Sequence, residues 1–86
     1  MRYTISPRVA HQVVDGEAVL VDLAGGRTMG LNATGTLVWT LLGAGQDEDA
    51  IARAVGERYG LELATARGEV QEFLGTLRTR GLIAAA

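Results

Sequence analysis

The chain has 86 residues, and a chain of this length buries only about 60% of its unfolded surface, so it has room for one small hydrophobic core. Its 48% apolar content is typical of a globular protein, and the lack of cysteine excludes disulfides and thiolate metal sites. The net charge of −2 provides no basic field that would attract nucleic acid. No apolar run approaches the roughly 20 residues that cross a bilayer. We therefore expect one domain over residues 1–86, with an ordered core over about 9–83, that acts in the cytoplasm and not at a membrane.

The first third of the chain predicts three antiparallel strands. The first runs over Val9–Val14 and ends at Asp15-Gly16, a dipeptide typical of tight hairpin turns. The second, Glu17–Leu23, alternates its side chains between two faces. Ala24-Gly25-Gly26 tolerates the positive φ angles of a turn, so the chain returns as a third strand over Arg27–Leu31. This third strand is the last of its sheet and has one free edge.

Beyond the strands, the apolar residues recur at the 3.6-residue spacing of helices. Asn32 is a preferred N-cap, and a first helix follows it directly. The acidic residues 47–49 favour the start of a second helix, which Gly60 ends. A third helix is predicted over residues 64–79, and the three closing alanines are expected to be frayed. Three strands followed by three helices indicate an α+β fold.

The sequence offers little for catalysis or for holding a metal ion. Its single serine, Ser6, and its single histidine, His11, lie where a nucleophilic triad is hard to assemble. The acidic run at 47–49 is explained more simply as a helix start than as a cation site. The glycines between positions 25 and 30 match neither a phosphate loop nor a dinucleotide fingerprint. We therefore expect a non-catalytic protein with no cofactor and no metal ion.

An ordered set of segments resembles the PqqD-like proteins, the stand-alone RiPP recognition elements found beside enzymes that modify ribosomally made peptides. The resemblance extends from about Val9 to Ile83. The chain is most similar to the discrete recognition proteins of lasso-peptide pathways, and PqqD proper, which serves a radical-SAM enzyme, stays open as the alternative. The residues that carry it are Val19-Leu20-Val21-Asp22-Leu23, Gly26-Arg27, Gly30-Leu31-Asn32-Ala33-Thr34-Gly35, Val38-Trp39-Thr40-Leu41-Leu42, Ile51, Tyr59-Gly60, Val70, Phe73-Leu74, Leu77 and Gly81-Leu82-Ile83.

The resemblance implies a winged-helix-like fold that binds the leader segment of a precursor peptide. The leader would dock as an extra strand against the third strand, in a groove shared with the third helix. The implied partners are that leader and a leader protease, cyclase or other modifying enzyme. The residues indicate the same edge independently, because Arg27–Leu31 contains neither Pro nor Lys to block pairing. Strand addition would supply affinity through main-chain hydrogen bonds.

The candidate peptide-binding residues lie on the third strand and the third helix. On the strand they are Gly26, Arg27, Thr28, Met29, Gly30 and Leu31. At about 100° per residue, the centre of the buried stripe on the helix consists of Ala66, Val70, Phe73 and Leu77. The stripe has a shoulder on either side, and the spacing leaves open which of the two faces the peptide. We expect the shoulder that carries the arginines to wall the groove, with those arginines available to leader carboxylates. The helix residues assigned to binding are therefore Arg67, Val70, Gln71, Leu74 and Arg78.

Three other uses of such a fold stay open at this point. A winged-helix protein that binds nucleic acid is the main alternative, but it would need a basic second helix. Here Arg53 and Arg58 are balanced by the acidic side chains at 47–49 and 57. A subunit that stabilises an enzyme would bind that enzyme without binding a leader. The free edge can also pair with a second copy of the chain, which would give a homodimer.

Overall fold

The computed structural model describes residues 2–86. Within this range the chain forms five strands and three helices. In chain order they are β1 (Tyr3–Ile5), β2 (Val9–Val14), β3 (Glu17–Asp22), β4 (Arg27–Gly30), α1 (Ala33–Gly43), α2 (Glu48–Tyr59), α3 (Leu63–Thr79) and β5 (Ile83–Ala85). The three predicted strands correspond to β2, β3 and β4, so the predicted α+β order of a three-stranded antiparallel sheet followed by three helices is confirmed.

Two turns fix the register of the β2-β3-β4 sheet. Asp15 and Gly16 both have positive φ, at 53° and 79°, as a type I′ hairpin turn requires. The turn before β4 is closed by Asp22, whose Oδ1 accepts the backbone N–H groups of Ala24 at 3.0 Å and Gly25 at 3.3 Å. The sheet order is β2-β3-β4, so β2 and β4 are both edge strands.

The starts of α1 and α2 and the end of α2 lie where the sequence predicts them. Asn32 Oδ1 accepts the N–H of Gly35 at 2.8 Å, so α1 starts directly after β4. Asp47 Oδ1 accepts the N–H of Ala50 at 2.8 Å and starts α2. Gly60 ends α2 in the left-handed conformation. These caps satisfy backbone groups that a helix end otherwise leaves without partners.

The core lies between β3 and the inward faces of the three helices. From β3 it takes Ala18 and Leu20, each 1% exposed. On α3 the fully buried residues are Ala66, Val70, Leu74 and Leu77. Phe73 is half-buried, so the predicted centre of the stripe is corrected: Leu74 belongs to it and Phe73 lies at its margin. The reason is that α3 packs most closely against α2, which rotates the buried stripe toward that helix.

The two ends of the chain form a second, two-stranded sheet. Antiparallel pairing sets Tyr3 opposite Ala85 and Ile5 opposite Ile83. Tyr3 is buried in the core, and the Ala86 N–H donates to the Arg2 carbonyl at 3.0 Å. The expectation that the closing alanines are frayed is therefore wrong, because Ala85 is held by a strand from the opposite end of the chain. No local sequence pattern predicts that β1 pairs with β5, because the two strands lie at opposite ends of the chain.

Candidate functional site

The outer edge of β4 has backbone groups free for a further strand. The Leu31 N–H donates to the Ala18 carbonyl at 2.8 Å, which fixes the phase of the antiparallel ladder. Because opposite residues alternate between bonded and non-bonded pairs, Arg27 and Met29 also direct their backbone groups toward β3. The N–H and C=O groups of Thr28 and Gly30 consequently face away from the sheet. These four groups can accept an added strand.

The two faces of β4 differ in how deeply their side chains are buried. Leu31 is buried in the core, and Met29 is half-buried against it. Thr28 and Gly30 are exposed on the opposite face, and a Cβ added at Gly30 would meet nothing within 4 Å. The edge is thus open both along its backbone and above Gly30, and a second chain can approach it closely.

Beside this edge, between β4 and the end of α3, lies an open cavity of about 580 Å³, here named the β4 cavity. Its floor is apolar, with Met29 from the strand and Leu82 from the segment after α3. Its wall is polar and is made by Arg27, Thr79 and Arg80. A cavity of this composition can hold an apolar side chain while charged groups at its rim contact the same ligand.

A second cavity of about 210 Å³, here named the α1 cavity, lies between the end of β4 and the start of α1. Gly35 forms part of it, and a Cβ at this position would meet the Phe73 ring at 3.4 Å. Its other lining residues include Asn32, Val38, Glu69 and Val70. The glycine therefore keeps this cavity open beside the ring.

The two cavities show how α3 runs past β4. The β4 cavity combines Arg27–Met29 with the end of α3, whereas the α1 cavity combines Asn32–Gly35 with Glu69–Phe73. The helix therefore runs antiparallel to the strand. At about 1.5 Å per residue, the interval from Glu69 to Arg80 spans about 16 Å, which is the length of about five residues of an extended chain. Together the β4 edge and the two cavities form a groove, here named the edge groove.

The structure separates the predicted site residues into two groups. Arg27, Thr28 and Met29 line the β4 cavity, and Val70 lines the α1 cavity, while Gly26, Gly30 and Leu31 adjoin them along the chain. Of the described residues, Arg67, Gln71, Leu74 and Arg78 line neither cavity. The peptide-binding role of every one of these residues stays a prediction.

Three of the four outlying helix residues have other neighbours, and the fourth, Gln71, is exposed. Leu74 is 1% exposed and belongs to the core. Arg67 Nη2 lies 3.3 Å from Asp49 Oδ1 on α2, and the Arg78 guanidinium carbon lies 6.0 Å from the centre of the Tyr3 ring. The shoulder of α3 that does border the edge groove carries Glu69 and Phe73, and Arg80, directly after the helix, continues it. The helical spacing does not choose between the two shoulders of the buried stripe, whereas the packing of α3 against α2 turns one of them toward the groove.

Asp47 and His11 both lie outside the edge groove. Hydrogen bonding from the Ala50 N–H lowers the pKa of the Asp47 carboxyl below its usual value of 3.8, with smaller contributions from nearby positive charges. His11 lies on the opposite edge strand, with its ring 6.0 Å from the Trp39 ring in an edge-on arrangement. Neither group lines the cavities of the edge groove. Among residues 2–86, no cluster of three or more His, Asp or Glu side chains is placed to hold a metal ion.

The sequence matches the model of a known protein family over most of its length. The model of coenzyme PQQ synthesis protein D (PqqD) matches residues 17–83. The chain belongs to the PqqD family. The match covers β3, β4 and all three helices, so it includes every element of the edge groove. No protein with a curated description matches the sequence.

Two solved structures have the fold of this PqqD-family protein over nearly its whole length. TbiB1, in complex with the TbiA(beta) leader peptide, is 30% identical with a TM-score of 0.91, covering 100% of this chain and 98% of the other. A lasso peptide synthetase B1, complexed with the leader peptide, is 21% identical with a TM-score of 0.91, covering 99% of this chain and 100% of the other. The second likeness establishes the fold. Within the part of the chain that is described, no helix has the length and apolar character of a membrane span.

Proposed function

We propose that this PqqD-family protein is a non-catalytic adaptor of lasso-peptide biosynthesis that binds the leader segment of a precursor peptide. The leader adds an antiparallel strand to β4, bonding to the backbone groups of Thr28 and Gly30. The observation that carries the proposal is this free edge beside an open groove, in a fold shared with TbiB1, which is solved with a leader peptide. Antiparallel addition continues the pattern of the existing sheet.

Main-chain pairing cannot supply the affinity by itself. Four backbone hydrogen bonds at about 0.5–1.5 kcal/mol each contribute about 2–6 kcal/mol. Ordering a flexible leader costs about 2–5 kcal/mol, which offsets most of that gain. Micromolar binding requires about −8 kcal/mol, so apolar side chains of the leader must also be buried. At about 1.5–3 kcal/mol for each buried side chain, the β4 cavity and the α1 cavity are needed as anchor sites.

The proposed binding residues follow the edge groove. On the strand they remain Gly26, Arg27, Thr28, Met29, Gly30 and Leu31. On the helix we retain Val70 and add Glu69, Phe73, Thr79 and Arg80, because these residues border the groove. We no longer assign Arg67, Gln71, Leu74 and Arg78 to binding, because none of them lines either cavity.

The adaptor would deliver the leader to a partner enzyme, such as a leader protease or cyclase, in the cytoplasm. Holding both on one scaffold raises the effective concentration of the peptide to about the millimolar range for a short flexible link. Nothing in the comparisons supports the nucleic-acid alternative, and the acidic balance of α2 argues against it. A second copy paired on β4 would compete with the leader for the same backbone groups, so a homodimer of that kind should dissociate when leader is added.

The test is a fluorescence-anisotropy titration of the purified protein with the labelled leader region of the precursor encoded beside it. A random DNA duplex at low salt is the parallel probe. Saturable leader binding at micromolar concentration or tighter, without duplex binding, supports the adaptor. Salt-sensitive duplex binding without leader binding would overturn it.

A further inference from the structure

The edge groove is electrically polarised along its length. Two exposed arginines, Arg27 and Arg80, line the wall of the β4 cavity. A third, Arg8, lies next to this wall, because its Nη2 donates to the carbonyl of Gly81, between Arg80 and Leu82, at 3.5 Å. At the α1 cavity the charged lining residue is Glu69. The two ends are about 16 Å apart along α3.

The arginines at the basic end are not neutralised by the fold. Among residues 2–86, the ion pair within 4.0 Å joins Arg67 to Asp49. No carboxylate of these residues lies within that distance of Arg8, Arg27 or Arg80. Asp22 also lines the β4 cavity, but its Oδ1 accepts two backbone N–H groups of the turn. Three guanidinium groups against one carboxylate leave this end with a net positive charge that a ligand carboxylate can complement.

At the other end, Glu69 faces a different environment. The α1 cavity also contains the start of α1, whose N-terminus partly offsets the charge of Glu69. Even so, an acidic ligand side chain would meet a like charge here, while a basic one would meet an opposite charge. The groove thus favours opposite charges at opposite ends of whatever extended chain lies in it.

Resting on the function proposed above, we infer that Arg27, Arg80 and Glu69 select both the charge pattern and the direction of the bound leader. A leader that pairs antiparallel to β4 has its N-terminal side at Gly30 and Glu69 and its C-terminal side at Arg27 and Arg80. The recognised peptide therefore carries an Asp or Glu about five residues C-terminal to a Lys or Arg. The same composition in the reverse order binds more weakly.

The experiment pans a random dodecapeptide library displayed on phage against the wild-type protein and against two charge-reversed proteins. One variant is Arg27→Glu with Arg80→Glu in the groove. The matched control is Arg53→Glu with Arg58→Glu, which makes the same change in net charge on exposed positions of α2. Circular dichroism melts verify that all three proteins are folded. Selected peptides are then synthesised, each with an isomer in which its acidic and basic residues are exchanged, and titrated by anisotropy.

We expect peptides selected by the wild type and by the α2 control to carry acidic residues in their C-terminal half. Peptides selected by the groove variant should carry basic residues there instead. The exchanged isomers should bind the wild type at least about fivefold more weakly, which is the effect of one exposed ion pair of about 1 kcal/mol. This difference should shrink at high salt.

Two other results are distinguishable. Peptides that bind without any charge order, but lose binding to a Thr28→Pro variant, would overturn the charge selection and leave the adaptor function standing. Peptides whose binding is unaffected by Thr28→Pro, or a failure to select any peptide, would overturn the strand-addition function and this inference with it.

Discussion

Replacing Thr28 by proline removes one outward N–H group from the β4 edge without touching the ladder to β3. The Leu31 to Ala18 hydrogen bond fixes the phase of that ladder, so the N–H of Thr28 takes no part in it. Proline is tolerated on an edge strand when the lost N–H faces outward. The folded state should therefore survive, and leader binding should lose a hydrogen-bond donor.

The expected loss follows from the partner that is left behind. A carbonyl of the leader, enclosed by the groove and no longer paired, costs about 1–3 kcal/mol. Each 1.4 kcal/mol of lost binding free energy raises a dissociation constant about tenfold, so the dissociation constant for the leader should rise by about 5-fold to 150-fold. Anisotropy titration measures this change directly.

The opposite edge of the sheet supplies a matched control. Val13 lies opposite Ala18, whose N–H donates to Thr36 Oγ1 and whose carbonyl accepts from Leu31, so Val13 also points its N–H outward. Val13→Pro introduces the same ring and the same loss of a donor on β2, far from the groove. Equal weakening by the two variants, or unchanged binding to Thr28→Pro, would refute the assignment of the β4 edge.

Three further predictions concern the fold around the site. Leu74→Ala should lower the free energy of unfolding by about 2–5 kcal/mol, whereas Gln71→Ala should change it by less than about 0.5 kcal/mol in urea melts; similar values would contradict the burial of Leu74. Because the pKa of Asp47 is lowered in the folded state, its stabilising effect is full above pH 3.8 and is lost as the pH falls through the lowered value, so wild type should lose more stability on acidification than Asp47→Asn, which caps without titrating. Deleting residues 84–86 should destabilise the protein by about 1–3 kcal/mol through loss of the β1–β5 bonds, and an unchanged melting temperature would mean that this end contributes nothing.

Much of the fold was predictable because its signals are local. Asp15-Gly16 dictates a hairpin through the positive φ angles that its residues accept, and Asn32 and Asp47 start helices through their own side-chain oxygens. Each of these signals acts between residues a few positions apart. The sequence alone therefore determined the order of the three strands and three helices, and with it the free edge of β4.

The tertiary structure decided what depends on residues that meet from distant parts of the chain. Helical spacing gave α3 a buried stripe with two shoulders, but the packing of α3 against α2 put Leu74 into the core and turned Phe73 and Glu69 toward the groove. The basic end of the groove brings together an arginine that precedes β2, one from β4 and one that directly follows α3, and no spacing rule connects them. The pairing of β1 with β5 joins the two ends of the chain for the same reason: a strand's partner is chosen by shape and burial across the whole fold, not by its neighbours in sequence.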